Sequence, residues 1–234
     1  MKDVNSETKS STIKMKLFGN LIGLMLLFGC GGEVTNETSQ GDRAAEAAQV
    51  ERKTILFFGN SLTAGYGLED KSEAFPGIIQ ETIDSLGLPY TVVNGGLSGE
   101  TSAGGNERIE WLLKQQIDVF VLELGANDGL RGLPVEDTYK NLLSIIEKVK
   151  VAWPDCKVVL AGMMVPPSMG KNYADQFNAV FPRLAKEANV TLVPFLLENV
   201  AGEAELNQND GIHPTKEGQQ ILAENVWEVL QPLL

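Results

Sequence analysis

Lys53-Thr54-Ile55-Leu56-Phe57-Phe58-Gly59-Asn60-Ser61-Leu62-Thr63 is the stretch from which the fold of this 234-residue chain can be read. Thr54 to Phe58 is an apolar run rich in strand-forming side chains, and it stops at Gly59-Asn60-Ser61. A strand that is apolar throughout and ends in small polar residues belongs inside a parallel sheet, where it delivers its last side chains to the C-terminal edge. Ligands gather at that edge in open α/β sheets. Ser61 is thus placed either as a functional hydroxyl or as a plain cap on the following helix, and this stretch alone does not choose between them.

Working outward, strand and helix patterns alternate. Strands are expected at Tyr90–Asn94, Val119–Leu124, Val158–Ala161 and Thr191–Val193. Helices are expected at Ser72–Leu86, Asn106–Gln115, from Pro134 to Ala152, at Asp175–Ala188 and at Thr215–Leu230. The Pro134–Ala152 segment carries Leu142, Leu143, Ile145, Ile146 and Val149 on one face. Alternation of this kind predicts βαβ units with right-handed crossovers, giving a three-layer α/β/α fold around a parallel sheet.

The formal charge is −12 and the isoelectric point about 4.6, so no basic surface is available for a nucleic-acid partner. Cys30 and Cys156 are the only cysteines and His213 the only histidine. That composition leaves no Cys/His cluster for a structural zinc site, and no metal or other cofactor is expected. If the chemistry uses an imidazole, it is that of His213.

Lys14 and Lys16 precede the apolar run Leu17 to Gly29, and Cys30 follows. A positive segment, a short apolar segment and a small residue before the break form an export signal, here residues 1–29, and Met15 is an alternative start. Leu27-Phe28-Gly29-Cys30 is similar to the lipobox of bacterial lipoproteins, with Cys30 as the lipidated residue, although Phe28 is unusual at its position. Cleavage elsewhere would leave Cys30 an ordinary thiol. Residues 30–52 are polar and small and read as a tether spanning roughly 25 Å, with the folded domain at 53–234. These features predict an exported, periplasmic protein held near a membrane by its lipid.

Four segments fall after strand ends or before the last helix: Gly59-Asn60-Ser61-Leu62, Leu97-Ser98-Gly99-Glu100-Thr101, Gly125-Ala126-Asn127-Asp128 and Asp210-Gly211-Ile212-His213-Pro214. Together they hold what acyl transfer requires. A serine hydroxyl needs a base to take its proton, and neutral imidazole serves. A carboxylate three residues before the histidine can fix its tautomer. The N–H groups of Ser61 and Gly99 and the amide of Asn127 supply converging donors for a tetrahedral oxyanion. Singly, each piece also has an ordinary reading: Gly99 as a turn glycine, Asn127-Asp128 as a turn, His213 and Asp210 as surface loop residues.

The four segments, in this order, resemble those of the SGNH/GDSL hydrolase family and its thioesterase/arylesterase branch. The resemblance extends over nearly all of Thr54 to Leu234 and includes Gly59 to Tyr66, Val93 to Thr101, Leu122 to Gly132 and Asp210 to Pro214. It implies a flavodoxin-like five-stranded sheet in the order 2-1-3-4-5. It also implies Ser61, Asp210 and His213 as catalytic residues, with Ser61, Gly99 and Asn127 forming the oxyanion hole. One departure stands out: Asn60 occupies the place of the acid in the family's Gly-Asp-Ser-Leu.

The resemblance also implies that the apolar stretch Gly162 to Tyr173, with Met163, Met164, Val165, Pro166 and Pro167, borders an acyl groove, with Val165, Pro166 and Pro167 contacting substrate. Met163 and Met164 are equally suited to continuing the strand into the core. The expected activity is that of a serine esterase or thioesterase acting on acyl esters, aryl esters or lysophospholipids through an acyl-enzyme on Ser61. The competing readings are a carbohydrate deacetylase of the same fold and a non-catalytic lipoprotein that binds acylated ligands.

Overall fold

The structure is a computed structural model, and it describes residues 51–234. The signal peptide 1–29, the lipidation site Cys30 and all but the last two residues of the tether lie outside the described residues. Five parallel strands, β1 (Lys53–Gly59), β2 (Tyr90–Asn94), β3 (Val119–Glu123), β4 (Lys157–Ala161) and β5 (Thr191–Val193), form one sheet in the order β2-β1-β3-β4-β5. The chain order reverses beside β1, so the sheet's crevice opens at the end of the strand that carries Ser61.

Helices cover both faces. They are α1 (Ser61–Ala64), α2 (Phe75–Ser85), α3 (Ser102–Leu112), α4 (Ala126–Leu130), α5 (Val135–Ala152), α6 (Lys171–Asn178), α7 (Val180–Ala188) and α8 (Lys216–Leu230). α2 packs with α8 on one side, whereas α5 packs with α3 and α7 on the other. Ile55, Phe57, Phe58, Phe120, Val121 and Leu122 are completely buried between these layers. That two-sided burial explains why β1 and β3 are apolar at consecutive positions rather than at alternate ones.

Three expected helices are placed differently. The segment beginning at Ser72 is a 3-10 turn, Lys71–Glu73, followed by α2, with Ala74 extended between them (φ −70°, ψ 149°). The first free N–H of α2, at Phe75, is capped from across the fold by the buried Gln219 of α8 at 2.9 Å. α3 starts at Ser102 rather than Asn106, because the Thr101 side chain caps it and Gly104-Gly105, a pair that ordinarily weakens a helix, is needed there. A Cβ on Gly105 would stand 2.3 Å from Leu124 Cδ1. The helix expected at Asp175–Ala188 is instead α6 and α7, parted at Ala179. Pro182 has no N–H to give the Asn178 carbonyl, so the ladder fails one turn before it.

Candidate active site

Ser61 is the first residue of α1, so the strand of β1 and the start of a helix meet at its hydroxyl. Asn60 caps α1, its Oδ1 accepting the Leu62 N–H at 3.0 Å and lying 3.3 Å from Ser61 Oγ. His213 is carried by the loop between β5 and α8, which is closed by an antiparallel bridge between Asn207 and Pro214 and by Gln208 N–H donating to His213 O at 2.7 Å. Ser61 Oγ and His213 Nε2 are 2.9 Å apart. His213 Nδ1 is 2.6 Å from Asp210 Oδ2.

Asp210 is further fixed by accepting the N–H groups of Ile212 and His213 at its other oxygen, each at 3.0 Å. The hydrogen bond from His213, then those two amides, hold its carboxyl down at about 2. The carboxylate is therefore ionised at every pH where the imidazole is useful. Tyr66, two residues past α1, packs its ring on the imidazole with centroids 4.5 Å apart.

The two other donor segments converge on this point. Leu97 N–H donates to Gly59 O at 2.9 Å, which ties the Gly99 loop to the Ser61 turn. Gly99 has φ +81°, a conformation that a side chain would strain, so the turn reading of this glycine holds as well. Asn127, in α4 rather than in a turn, gives one amide hydrogen to Glu100 O at 3.0 Å and keeps the second for another acceptor. Neither the Ser61 nor the Gly99 N–H has an acceptor among the described residues. Asp128 clamps α4 to the start of α3, accepting Ser102 N–H at 2.8 Å and Ser102 Oγ–H at 2.5 Å.

Ser61, Leu62, Asn127 and His213 share the wall of a cavity of about 440 Å³ with Leu130, Met163, Met164, Val165, Pro166, Phe195 and Leu197. The expected substrate contacts Val165 and Pro166 are on this wall, whereas the side chain of Pro167 lies outside the described residues. Met163 and Met164 divide the two roles expected of them: Met163 is buried, Met164 is half exposed, and both reach the cavity. Among the described residues no cluster of His, Cys, Asp or Glu is arranged to hold a metal. A larger open concavity beside it, lined by Tyr66, Gln208 and Asn209, does not include Ser61.

The pattern of the GDSL-like lipase/acylhydrolase family matches residues 57–221. The chain belongs to that family. It is 40% identical over 187 residues to esterase TesA of Pseudomonas aeruginosa, covering 80% of this chain and 92% of the relative. It is 39% identical over 182 residues to the thioesterase 1/protease 1/lysophospholipase L1 of Escherichia coli, covering 77% and 85%. Among solved structures it is similar to the psychrotrophic esterase EstA from a Pseudoalteromonas species, inhibited by monoethylphosphonate. That likeness has a TM-score of 0.72 and 32% identity, and covers 77% of this chain and 97% of the other. This GDSL protein is a carboxylic ester hydrolase.

Several groups that organise the site have no role assigned by sequence reasoning. Glu123, at the end of β3, is buried against the Ser61 turn. Glu100 pairs with Arg108 at 2.6 Å, and Arg108 also lies over the Phe58 ring, which fixes the Gly99 loop to the core. Arg131 donates to Gly99 O at 2.9 Å. Each is a contact between separate segments, invisible in local spacing.

Proposed function

We propose that Ser61 is the nucleophile, His213 its general base and Asp210 the group that orients the imidazole. Ser61 Oγ attacks the carbonyl carbon of an acyl ester or thioester as its proton passes to His213 Nε2. The tetrahedral oxyanion is received by the N–H groups of Ser61 and Gly99 and by the free amide hydrogen of Asn127. His213 then protonates the departing alcohol or thiol, leaving the acyl group on Ser61. Water, giving a proton to His213, attacks that acyl-enzyme, and the proton returns to Ser61 Oγ as the carboxylic acid leaves.

The observation that carries this reading is the unbroken series Ser61–His213–Asp210, at 2.9 and 2.6 Å, opening directly on an apolar cavity. A binding protein has no use for that series. The cavity, lined by Leu130, Met163, Met164 and Val165, suits chains longer than acetyl better than the acetyl of a decorated carbohydrate. Val165, Pro166 and Pro167 border the acyl chain in this reading, and substrates are medium-chain acyl esters, aryl esters and lysophospholipids. A p-nitrophenyl ester series from acetyl to palmitoyl, run beside Ser61→Ala, tests it. Activity lost in the variant and peaking above acetyl is expected. Equal activity in both would remove Ser61 from the mechanism.

We further propose export through residues 1–29 and lipidation at Cys30, on the strength of Lys14, Lys16 and the apolar run before the cysteine. No helix among the described residues is long and apolar enough to cross a membrane, so attachment would fall to the lipid. Incorporation of labelled palmitate that disappears in Cys30→Ala tests the anchor.

A further inference from the structure

Behind the nucleophile, a carboxylate sits where no substrate reaches it. Glu123 is 1% exposed. Its Oε2 accepts Asn60 N–H at 3.0 Å, Thr63 N–H at 3.3 Å and Thr63 Oγ1–H at 2.8 Å. Its Oε1 accepts the Asn60 side-chain amide at 2.7 Å. With its amide turned to Glu123, Asn60 presents Oδ1 to Leu62 N–H and to Ser61 Oγ. The backbone makes room for this contact: a Cβ on Gly59 would stand 2.1 Å from Thr63 Oγ1 and 2.5 Å from Glu123 Oε2.

We propose that Glu123 and Asn60 act together as positioning residues that hold the Ser61 hydroxyl in line with His213, resting on the assignment of Ser61 as nucleophile. All four groups facing Glu123 are donors, and its ionised carboxylate accepts from them at both oxygens. The facing side chains, Asn60 from the end of β1 and Thr63 from α1, do not titrate, and no charged side chain contributes to its environment. An acid at position 60 would need a proton between two carboxyls; the amide needs none. Burial pushes the Glu123 carboxyl up, and the four donors offset part of that cost.

The arrangement has a testable polarity. In Glu123→Gln the new amide faces the Asn60 amide, donor against donor. Flipping Asn60 to relieve this would turn its amide onto Leu62 N–H. Either way the turn loses one contact. The double variant Asn60→Asp with Glu123→Gln restores one carboxylate and one carboxamide across the same gap, with the polarity reversed. The new carboxylate at position 60 then accepts from the new amide at position 123 and still accepts the Leu62 N–H.

The experiment is the rate at which a p-nitrophenyl alkylphosphonate labels Ser61 in the full chain, followed by intact mass and p-nitrophenol release, with kcat and KM for an ester measured in parallel. Glu123→Gln is expected to slow labelling and kcat by about tenfold or more with KM little changed, because a small displacement of the nucleophile is costly. The double variant is expected to recover most of that loss. A folded Glu123→Gln that labels at the wild-type rate overturns the proposal. So does a double variant that stays more than tenfold slow, whatever the single variant does. Wild type that the phosphonate does not label at Ser61 would overturn the nucleophile assignment itself, which is a separate result.

Discussion

Asp210 grips His213 twice, by the ring nitrogen Nδ1 at 2.6 Å and by the histidine's own main-chain N–H at 3.0 Å. Three residues of chain therefore fix the place of the imidazole and favour one of its tautomers. A carboxylate beside Nδ1 favours the proton there, which in the proposed mechanism leaves Nε2 as the acceptor that faces Ser61 Oγ.

Asp210→Asn should keep the grip and lose the polarity. Its oxygen can still accept the Ile212 and His213 amides, which turns its NH2 toward Nδ1 and drives the ring proton to Nε2. We expect kcat to fall on the order of 10³–10⁴-fold with the fold intact. The depressed carboxyl of Asp210, at about 2, contributes stability that is complete above its unfolded value and is lost only as pH falls through about 2. Asp210 should therefore stay ionised on mild acidification, and urea unfolding of wild type and Asp210→Asn should fall in parallel until the pH drops below the ordinary carboxylate value. A kcat for Asp210→Asn within tenfold of wild type would be incompatible with this geometry.

Tyr66 packs its half-exposed ring on the imidazole at a tilt of 39°. Tyr66→Phe should be near wild type. Tyr66→Ala frees one side of the imidazole and should lower kcat several-fold, since such pairs contribute about 1 kcal/mol. Steady-state kinetics on one ester separate these outcomes, and equal loss in both variants would assign the effect to the hydroxyl.

The strands and the Asp210–His213 contact could be read from the sequence because each depends on short-range pattern, whereas the strand order came with the family resemblance. β1 and β3 are buried on both faces over Ile55–Phe58 and Val119–Leu122 and so are apolar at consecutive positions there, and Asp210 reaches His213 within a single turn. What the sequence hid depends on partners far along the chain. The start of α2 is set by Gln219, 144 positions away, and that of α3 by a glycine pair that exists to admit Leu124. Glu123 lies within the quoted motif, yet its role follows only from a partner 63 positions away. The break between α6 and α7 was legible in Pro182, whose missing N–H outweighs the amphipathic pattern on either side.

Glu123 should also be visible in stability. Its carboxyl is raised from 4.5 to about 7 by burial. A raised folded pKa means that its favourable contribution is complete below the unfolded value, about 4.5, and is lost as pH rises through about 7. The shift corresponds to on the order of 3 kcal/mol. Urea unfolding between pH 4.5 and 8 should therefore show a declining component in wild type that is missing in Glu123→Gln. Parallel curves for the two proteins would mean that Glu123 does not titrate in this range. The loss on the alkaline side is what the nucleophile turn costs in stability, in keeping with strained or charged groups at functional sites.

The acyl cavity gives the last prediction, because chain length and wall residues are coupled through area. Each methylene buried against Leu130 and Met164 contributes about 0.8 kcal/mol, close to a fourfold gain in kcat/KM. Leu130 and Met164 are half-exposed residues of the wall, so trimming them removes contact from the outer part of the chain without opening the core. Leu130→Ala and Met164→Ala should therefore leave p-nitrophenyl acetate hydrolysis within about twofold of wild type. They should lower kcat/KM for octanoyl and decanoyl esters by about four- to fifteenfold each, one or two methylenes' worth. The two effects should add when combined only if the side chains meet different carbons of the substrate. A uniform loss across the series would place these residues at the reacting carbonyl instead, and an unchanged profile would send the acyl chain elsewhere.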